Sequence, residues 1–305
     1  MASHGSTTDT IDHLAVQTCG WTDSAMQCAG ACYKNAFYGI ESHRCVQMTP
    51  VQTCNERCVF CWRDHGDHGT PDDRDWADPA AVAQRSIERH RTLVSGYGGH
   101  DDVPRDRFEE SREPRHVAIS LDGEPTLYPY LPELIEVYRD RGLSTFLVTN
   151  GTRPERLAAC DPTQLYCSVD APDPTTYEQV VRPAGSDAWG RLGHSLDVLA
   201  AADGPRTAIR ITLVEGHNDH DPAGYARMIE RAAADVVEVK AYMHVGHSRD
   251  RLDRSRMPDH ATVCAFADRI AEHLPHDRRA DVAASRVALL AQSDPPLETS
   301  VPDAA

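Results

Sequence analysis

The sequence predicts one α/β domain in which six βα units form an open, partial barrel with a parallel sheet. Two observations support this: strand-like apolar segments alternate with helical ones, and 305 residues suffice for one large buried core. The predicted strands are Val46–Thr53, His116–Leu121, Ser144–Thr149, Leu165–Asp170, Thr207–Val214 and Val236–Tyr242. Active sites of such barrels lie at the carboxyl ends of the strands, so residues that follow these segments are candidates for function.

The helices are predicted from the residues at their first turns. Asp78-Pro79 and Asp221-Pro222 precede helical segments, and Asp259 precedes one that ends near Leu274. Aspartate caps a helix through its carboxylate, and proline fits the first turn because no helical hydrogen bond is lost there. These residues therefore mark where three of the intervening helices begin.

The remaining segments are polar. Residues 96–115 are charged and predict a mobile insertion, and residues 291–305 predict a disordered tail. Residues 1–45 form an N-terminal extension and residues 46–290 the core domain. No apolar run is long enough to span a membrane and the N-terminus lacks signal-peptide features, which predicts a cytoplasmic protein without membrane association.

The net charge of −16 arises from 47 acidic and 31 basic residues. Only Lys34 and Lys240 are lysines, so the remaining 29 basic residues are arginines. A surface rich in aspartate and poor in lysine is typical of proteins from a halophilic archaeon. Concentrated salt screens long-range repulsion, so the acidity does not exclude a nucleic-acid partner.

Seven of the ten cysteines fall within the first 61 residues. A disulfide framework is typical of small secreted domains, and this chain is neither small nor preceded by a signal peptide. The cluster therefore indicates metal binding or redox chemistry.

Three cysteines follow the first predicted strand, in the order Cys54-x3-Cys58-x2-Cys61. Three thiolates on one loop can hold three irons of a [4Fe–4S] cluster and leave the fourth iron open, whereas a structural zinc site requires four ligands. With Phe60 before the third cysteine, the loop resembles that of radical S-adenosylmethionine enzymes. The resemblance implies a radical SAM barrel in which S-adenosylmethionine binds the open iron.

A second element supports this resemblance. Gly123-Glu124-Pro125 follows the second predicted strand, where the superfamily has Gly-Gly-Glu-Pro, and Asp122 replaces the first glycine. The resemblance implies that Glu124 binds the amino group of S-adenosylmethionine. Three further residues follow predicted strands: Asn150, Ser168 and Asp170. They are predicted either to contact the ribose or the substrate, or to cap neighbouring helices.

Upstream, twelve residues separate Cys19 from Cys32 and Cys32 from Cys45. This regular spacing is not itself a metal motif, and Cys28 is also close enough to share a metal with Cys32. The chain resembles the archaeal tRNA 4-demethylwyosine synthases from about residue 12 to residue 290. The shared stretches include Cys32-Tyr33-Lys34 and the sequences FYGIESHRCVQMTP, AISLDGEPTLYPYL, TFLVTNGT, YCSVDAPD and VEVKAYMHVGHS.

This resemblance implies that Cys19, Cys32 and Cys45 hold a second [4Fe–4S] cluster, and that Cys28 lies outside the set. It also implies that Lys34 forms a Schiff base with pyruvate. A neutral amine can attack a carbonyl, whereas arginine cannot form a Schiff base, so a lysine retained in an arginine-rich chain is notable. The alternative is an ordinary solvated lysine. Lys240 faces the active site or pairs with Glu238 or Asp170.

The family's reaction is the condensation of N1-methylguanosine, beside the anticodon of tRNA(Phe), with pyruvate to form 4-demethylwyosine. The resemblance implies a carbon–carbon lyase that acts as a monomer with a separate flavodoxin- or ferredoxin-type electron donor. RNA contacts are predicted at four arginines after the last strand: Arg249, Arg251, Arg254 and Arg256. His244 and His247 are functional or structural.

Two alternatives remain at this point. Another radical S-adenosylmethionine enzyme, such as an activase or a small-molecule enzyme, would use only Cys54, Cys58 and Cys61. An iron–sulfur or zinc RNA-binding module would bind metal but would never cleave S-adenosylmethionine.

Overall fold

The computed structural model describes residues 11–65 and 74–292. Their strands form one sheet in the order β1-β2-β3-β4-β5-β6-β7-β9-β8, in which β2 to β7 are parallel neighbours. The strands are β1 (Ala15–Val16), β2 (Cys45–Thr49), β3 (His116–Ile119), β4 (Ser144–Thr149), β5 (Gln164–Ser168), β6 (Arg206–Leu213), β7 (Val236–Ala241), β8 (Asp277–Val282) and β9 (Val287–Ala291). The six parallel strands are those that the sequence predicts, and the α/β partial barrel is confirmed.

Helices connect these strands. They are α1 (Gly20–Met26), α2 (Tyr33–Tyr38), α3 (Pro79–Val94), α4 (Arg105–Ser111), α5 (Leu131–Asp140), α6 (Pro154–Leu157), α7 (Pro174–Val180), α8 (Ala188–Ala200), α9 (Pro222–Ala232) and α10 (His260–Ala271). The carboxylates of Asp78, Asp221 and Asp259 accept backbone hydrogen bonds in the first turns of α3, α9 and α10. The three predicted helix starts are confirmed. None of the described helices is both long and apolar enough to cross a membrane.

The prediction of a mobile insertion at residues 96–115 is wrong. Helix α4 lies within this segment, and the side chains of Val103 and Phe108 are buried in one cluster with Met26 of α1. Two apolar side chains are sufficient to anchor an otherwise charged segment, because each removes apolar surface from water. This insertion therefore packs against the N-terminal extension.

Strands β8 and β9 were not predicted. They form an antiparallel hairpin, and β9 pairs with β7 at the edge of the parallel sheet. All residues of β9 are buried, whereas most of β8 is exposed and charged, so its sequence lacks the apolar pattern of a strand. The predicted disordered tail lies almost entirely outside the described residues, since β9 ends at Ala291.

The N-terminal extension enters the interior of the barrel. Tyr33, Phe37 and Tyr38 of α2 form one buried cluster with Phe146 of β4 and Tyr166 of β5. A separate, larger core lies between the sheet and its surrounding helices. Helix α2 therefore fills the inside of the sheet, and this places Cys32 and Lys34 within the barrel.

Candidate active site

A cavity of about 300 Å³ opens at the carboxyl ends of the parallel strands. Its wall contains the predicted cluster ligands Cys54, Cys58 and Cys61. It also contains the other residues predicted to contact S-adenosylmethionine, namely Phe60, Gly123, Glu124, Pro125, Asn150, Ser168 and Asp170. The structure thus brings together residues from four different parts of the sequence, as expected for a barrel active site.

Backbone hydrogen bonds and one arginine hold the cysteine loop in place. The amide of Val59 donates to the carbonyl of Val180 at 2.8 Å. The guanidinium of Arg251 donates to the carbonyl oxygens of Val59, Cys61 and Arg63. Arg251 was predicted to contact RNA, but in the structure its guanidinium bonds to the cysteine loop.

Glu56 lies between the cysteines of this loop and was not singled out in the sequence. Its carboxylate accepts a hydrogen bond from the hydroxyl of Tyr177 at 2.6 Å, and the thiol of Cys58 lies 3.7 Å from its other oxygen. Burial raises the pKa of Glu56 to about 8. A glutamate between two metal-ligand cysteines is the signal that could have identified it.

The loop cysteines fit a polynuclear cluster. Burial raises the pKa values of Cys54 and Cys58 well above the ordinary thiol range, so thiolates here require a neighbouring positive charge such as that of iron. Sulfurs around one zinc lie about 3.8 Å apart. Within residues 11–65 and 74–292, the one set of three ligand groups that all lie within 4.8 Å of one another is His260, Cys264 and Asp281. The loop sulfurs are more widely spaced, which favours a cluster over a single ion.

The glycine of the Gly-Glu-Pro element is required by its surroundings. Gly123 has a φ of +61°, and an added Cβ would lie 2.1 Å from the carbonyl oxygen of Val51. Asp122, which replaces the family's first glycine, accepts a hydrogen bond from the amide of Gly123 at 2.6 Å and pairs with Arg63. The substitution therefore ties this turn to the cysteine loop.

Glu124 is a buried residue of the cavity wall. Its oxygens accept hydrogen bonds from the side chain of Thr149 at 2.6 Å and the amide of Asn150 at 2.8 Å, and Thr126 donates two more. Burial raises its pKa, while these hydrogen bonds lower it. The carboxylate of Asp170 accepts from the amide of Thr212 at 2.6 Å, and burial raises its pKa to about 6.

The second cysteine set converges from three elements. Cys19 precedes α1, Cys32 precedes α2 and Cys45 begins β2. Burial raises the pKa of Cys45 to about 12; Lys34 opposes this shift, and the nearby Cys19 and Cys32 add to it. The three thiols are therefore close enough to interact, whereas Cys28 is exposed. Like the loop cysteines, these three do not lie within 4.8 Å of one another.

Lys34 lies among aromatic rings inside the barrel. Its Nζ is 4.9 Å from the ring centre of Phe146 and 4.8 Å from that of Tyr166. Such contacts stabilise a cation where water is scarce. The structure thus places Lys34 in the interior next to Cys32, rather than on the solvated surface.

A buried carboxylate holds the helix that carries Lys34. Glu238 accepts hydrogen bonds from the hydroxyls of Tyr33 at 2.9 Å, Tyr38 at 2.7 Å and Tyr166 at 3.1 Å. Two of these tyrosines belong to α2, so the network fixes this helix to β5 and β7. The signal in the sequence was a single glutamate within the apolar strand VVEVK.

Arg210 and Lys240 occupy the cavity wall on β6 and β7. Lys240 faces the site, which was one of the two predicted arrangements. Burial, together with the positive charge of Arg210, lowers the pKa of Lys240 to about 8. Arg210 was not identified from the sequence.

The mouth of the cavity exposes apolar side chains. Trp62, Met243 and Val245 line it and are 44%, 40% and 42% exposed. Behind them, the predicted RNA-contacting arginines other than Arg251 are also exposed; these are Arg249, Arg254 and Arg256. His244 bonds to the hydroxyl of Tyr242 at 2.9 Å, and His247 lies 3.1 Å from the carboxylate of Asp250.

Known proteins share this sequence. Residues 48–229 match the radical SAM superfamily, and residues 231–292 match the family described as wyosine base formation. An S-adenosyl-L-methionine-dependent tRNA 4-demethylwyosine synthase from Pyrococcus abyssi is 44% identical over 92% of this chain and 84% of its own length. The corresponding enzyme from Methanocaldococcus jannaschii is 41% identical over 91% of this chain and 90% of its own.

Solved structures agree with these matches. The structure of TYW1 with a lysine–pyruvate adduct bound has a TM-score of 0.85 and 38% identity, covering 95% of this chain and 93% of the other. A crystal structure of archaeal TYW1 has a TM-score of 0.78 and 36% identity, covering 92% and 90%.

Proposed function

The chain belongs to the S-adenosyl-L-methionine-dependent tRNA 4-demethylwyosine synthases of the radical SAM superfamily, and on this premise we propose that it condenses N1-methylguanosine in tRNA(Phe) with pyruvate. The observation that carries the proposal is the position of Lys34. This lysine lies inside the barrel beside the second cysteine set. The cavity that contains the first cysteine set opens at the carboxyl ends of the strands of the same barrel. A radical enzyme that used only Cys54, Cys58 and Cys61 would not need this arrangement.

The first cysteine set and the strand ends bind the radical source in this proposal. Cys54, Cys58 and Cys61 would hold a [4Fe–4S] cluster, which with S-adenosylmethionine bound would supply the radical chemistry that removes a hydrogen atom from the N1-methyl group. Glu124 accepts a hydrogen bond from the amino group of S-adenosylmethionine. The remaining contacts to S-adenosylmethionine or substrate come from Phe60, Gly123, Pro125, Asn150, Ser168 and Asp170.

Lys34 binds the second substrate covalently. The lone pair of its neutral amine adds to the C2 carbonyl carbon of pyruvate, the carbonyl oxygen leaves as water, and a C=N bond forms. Cys19, Cys32 and Cys45 hold the second [4Fe–4S] cluster next to this adduct. Support comes from the similar TYW1 structure, which contains a lysine–pyruvate adduct. The methylene radical of the methyl group adds to C2 of the adduct, and the C1–C2 bond then breaks, so that C1 leaves as carbon dioxide and one electron returns to the electron donor. The exocyclic amine of the guanine replaces the amine of Lys34 at C2 and closes the third ring, which makes the enzyme a carbon–carbon lyase.

The tRNA approaches the mouth of the cavity. The target base leaves its stack to reach the interior, and Trp62 offers an exposed ring on which a base can stack. Arg249, Arg254 and Arg256 contact the phosphates, whereas Arg251 acts through the cysteine loop that it holds. A separate flavodoxin- or ferredoxin-type protein supplies electrons to the enzyme, which acts as a cytoplasmic monomer.

Iron content and product formation test this function. The protein is reconstituted anaerobically in concentrated salt, and iron per chain is compared between wild type and a Cys54/Cys58/Cys61→Ala variant. About four irons should remain in the variant, because the second cluster has its own ligands. Wild type should convert tRNA(Phe) carrying N1-methylguanosine and labelled pyruvate into a labelled tricyclic nucleoside, detected by mass spectrometry.

Four outcomes would contradict the proposal. If the Cys54/Cys58/Cys61→Ala variant bound no iron, the protein would have no second cluster. A Lys34→Ala variant that retains both clusters and forms product at the normal rate would remove the Schiff base. Formation of 5′-deoxyadenosine without incorporation of pyruvate would favour another radical enzyme, and absence of 5′-deoxyadenosine would favour a metal-dependent RNA-binding module.

A further inference from the structure

Three cations meet in the interior of the barrel without a carboxylate partner. They are Lys34 on α2, Arg210 on β6 and Lys240 on β7. Within the part of the chain that the structure describes, no aspartate or glutamate oxygen lies within 4.0 Å of their charged nitrogens. The Nε of Arg210 is buried and donates to no acceptor among these residues. An unpaired buried cation is unfavourable, so this group is suited to receive an anion.

The nearest carboxylates are already engaged. Glu238 lies opposite Arg210 in the register of β6 and β7, but its oxygens accept three tyrosine hydroxyls. The carboxylate of Asp170 accepts the amide of Thr212. Both acids attract the guanidinium of Arg210 electrostatically, but neither comes within salt-bridge distance of it. The Nε donor of Arg210 therefore remains available to a ligand in the cavity.

The three cations are close enough to act on one small molecule. Arg210 and Lys240 both line the cavity. Burial has the largest effect on the pKa of Lys240, and the positive charges of Arg210 and Lys34 lower it further, so all three charges interact. The ring of Tyr166 lies 4.8 Å from Nζ of Lys34, and its side chain also interacts with Arg210.

We propose that Arg210 and Lys240 form a carboxylate subsite, which binds the carboxylate of the 2-oxo acid that reacts with Lys34. The proposal rests on the function proposed above. In a 2-oxo acid the carboxylate is bonded directly to the carbonyl carbon, so an adduct on Lys34 necessarily places its negative charge close to this lysine. Arginine and lysine then supply charge-assisted hydrogen bonds to that carboxylate.

This subsite would also select the substrate. A 2-oxo acid gains the two charged contacts, whereas a neutral ketone of similar size leaves both cations unpaired. Sites built to bind a charged group discriminate strongly against analogues that lack it. Pyruvate should therefore bind much better than methyl pyruvate, which has the same carbonyl group but no negative charge.

Trapping of the Lys34 adduct tests the subsite. Reconstituted enzyme with both clusters is incubated anaerobically with pyruvate or methyl pyruvate and sodium cyanoborohydride, which reduces the C=N bond to a stable amine. Peptide mass spectrometry then locates and quantifies the adduct. The concentration giving half-maximal adduct is compared among wild type, Arg210→Gln and Lys240→Gln. Arg227→Gln is the matched control, because it removes the same charge from an exposed residue of α9 outside the cavity wall.

Each cavity variant should raise the half-maximal concentration of pyruvate by about tenfold or more, since a hydrogen bond to a charged group is lost. The value for methyl pyruvate should change less than about twofold, so that the preference for the charged substrate falls. Arg227→Gln should behave as wild type. If Arg210→Gln does not fold, Lys240→Gln makes the same comparison, and Arg210→Lys, which keeps the charge, should lie between wild type and Lys240→Gln.

Three results would overturn the subsite. Equal weakening of pyruvate and methyl pyruvate would indicate general disruption of the interior. Loss of second-cluster iron in either variant would make the cations partners of that cluster. Weaker binding of S-adenosylmethionine with unchanged adduct would assign the cations to the other substrate. Absence of any Lys34 adduct in wild type would instead refute the pyruvate chemistry of the proposed function, a separate result.

Discussion

The two cysteine sets are held in place by different means. Cys54, Cys58 and Cys61 lie on one loop that follows β2, and each lines an open cavity. Cys19, Cys32 and Cys45 belong to three elements, and they meet because α2 packs inside the barrel. The first set depends on local chain geometry, whereas the second depends on the folding of the whole interior.

The supporting carboxylates show the same contrast. In the cysteine loop, Glu56 accepts a hydrogen bond from one tyrosine hydroxyl, and Arg251 donates hydrogen bonds to the loop backbone. In the interior, Glu238 accepts three tyrosine hydroxyls, two of them from α2. Both regions use a buried acid to position a segment that carries cysteines, but the acid of the interior region joins segments distant in sequence. Substitutions in the two regions should therefore impair different steps of the reaction.

The largest effect is expected from removing one cysteine of each set. Cys58→Ala and Cys45→Ala should both abolish 4-demethylwyosine formation, because each removes a cluster ligand. Only Cys58→Ala should also abolish 5′-deoxyadenosine, since only the first cluster cleaves S-adenosylmethionine. Each variant should retain about four irons per chain, measured after anaerobic reconstitution.

Cys28→Ala is the control for this comparison. Its thiol is exposed and lies outside both sets, so iron content and product should match wild type. If Cys45→Ala lost 5′-deoxyadenosine as well, the two regions would not be independent. If Cys28→Ala lost four irons, the second ligand set would have to include Cys28.

The next effect compares the tyrosines that support the two acids. Tyr38→Phe leaves Glu238 with two hydroxyl donors, and Tyr177→Phe deprives Glu56 of its tyrosine donor. Tyr38→Phe should lower the free energy of unfolding by about 1.5–3 kcal/mol, as for other hydrogen bonds to charged groups. Denaturant titration of each variant measures this change.

The two variants should affect different chemical steps. Tyr38→Phe should reduce trapping of the Lys34–pyruvate adduct and leave 5′-deoxyadenosine formation near the wild-type rate. Tyr177→Phe should do the reverse, because it loosens the loop of the first cluster. Equal loss of both readouts in either variant would mean that the tyrosines stabilise the fold without positioning either segment.

The success of the sequence-based predictions also differs between the cysteine loop and the barrel interior. The first cysteine set and the Gly-Glu-Pro element were found because short motifs encode local geometry, and the six parallel strands because their apolar runs are distinctive. Arg210 was missed, and Glu238 was considered only as a partner of Lys240, although both residues interrupt apolar strands. Alternation assigns Arg210 to the opposite face from Ile209 and Ile211, but it does not show which face is the barrel interior. That depends on α2, whose packing no local pattern reveals.

A smaller effect is expected at the mouth of the cavity. Trp62→Ala should raise the KM for tRNA by about tenfold, since stacking of one base on an aromatic ring contributes about 1–3 kcal/mol. Tyr130→Ala is the matched control, because Tyr130 is 43% exposed but does not line this cavity. Formation of the Lys34–pyruvate adduct without tRNA should be unchanged in both variants. An equal rise in KM for Tyr130→Ala would remove the specific role of the mouth.

The smallest effect is a pH dependence of the segment that precedes the first cysteine loop. His13 is buried, and its Nδ1 donates to the carbonyl of Pro50 at 2.6 Å while its Nε2 accepts from the amide of Ala77 at 3.1 Å. Burial is the largest cause of its lowered pKa. Because the unfolded chain takes up the proton more readily, this stability is present above the ordinary pKa of 6.5 and is lost as the pH falls below it.

His13→Gln should remove that contribution. The free energy of unfolding, measured by denaturant titration between pH 7.5 and pH 5.5 (about one unit either side of the ordinary histidine pKa), should fall less in the variant than in wild type. The interior region provides the comparison: adduct formation at Lys34 should keep the same pH dependence in both proteins, because the hydrogen bonds and ring contacts of His13 reach Pro50, Trp76, Ala77 and Tyr128, none of which belongs to α2. A change in that dependence would show that protonation near the first cysteine loop reaches α2, and that the two regions are coupled.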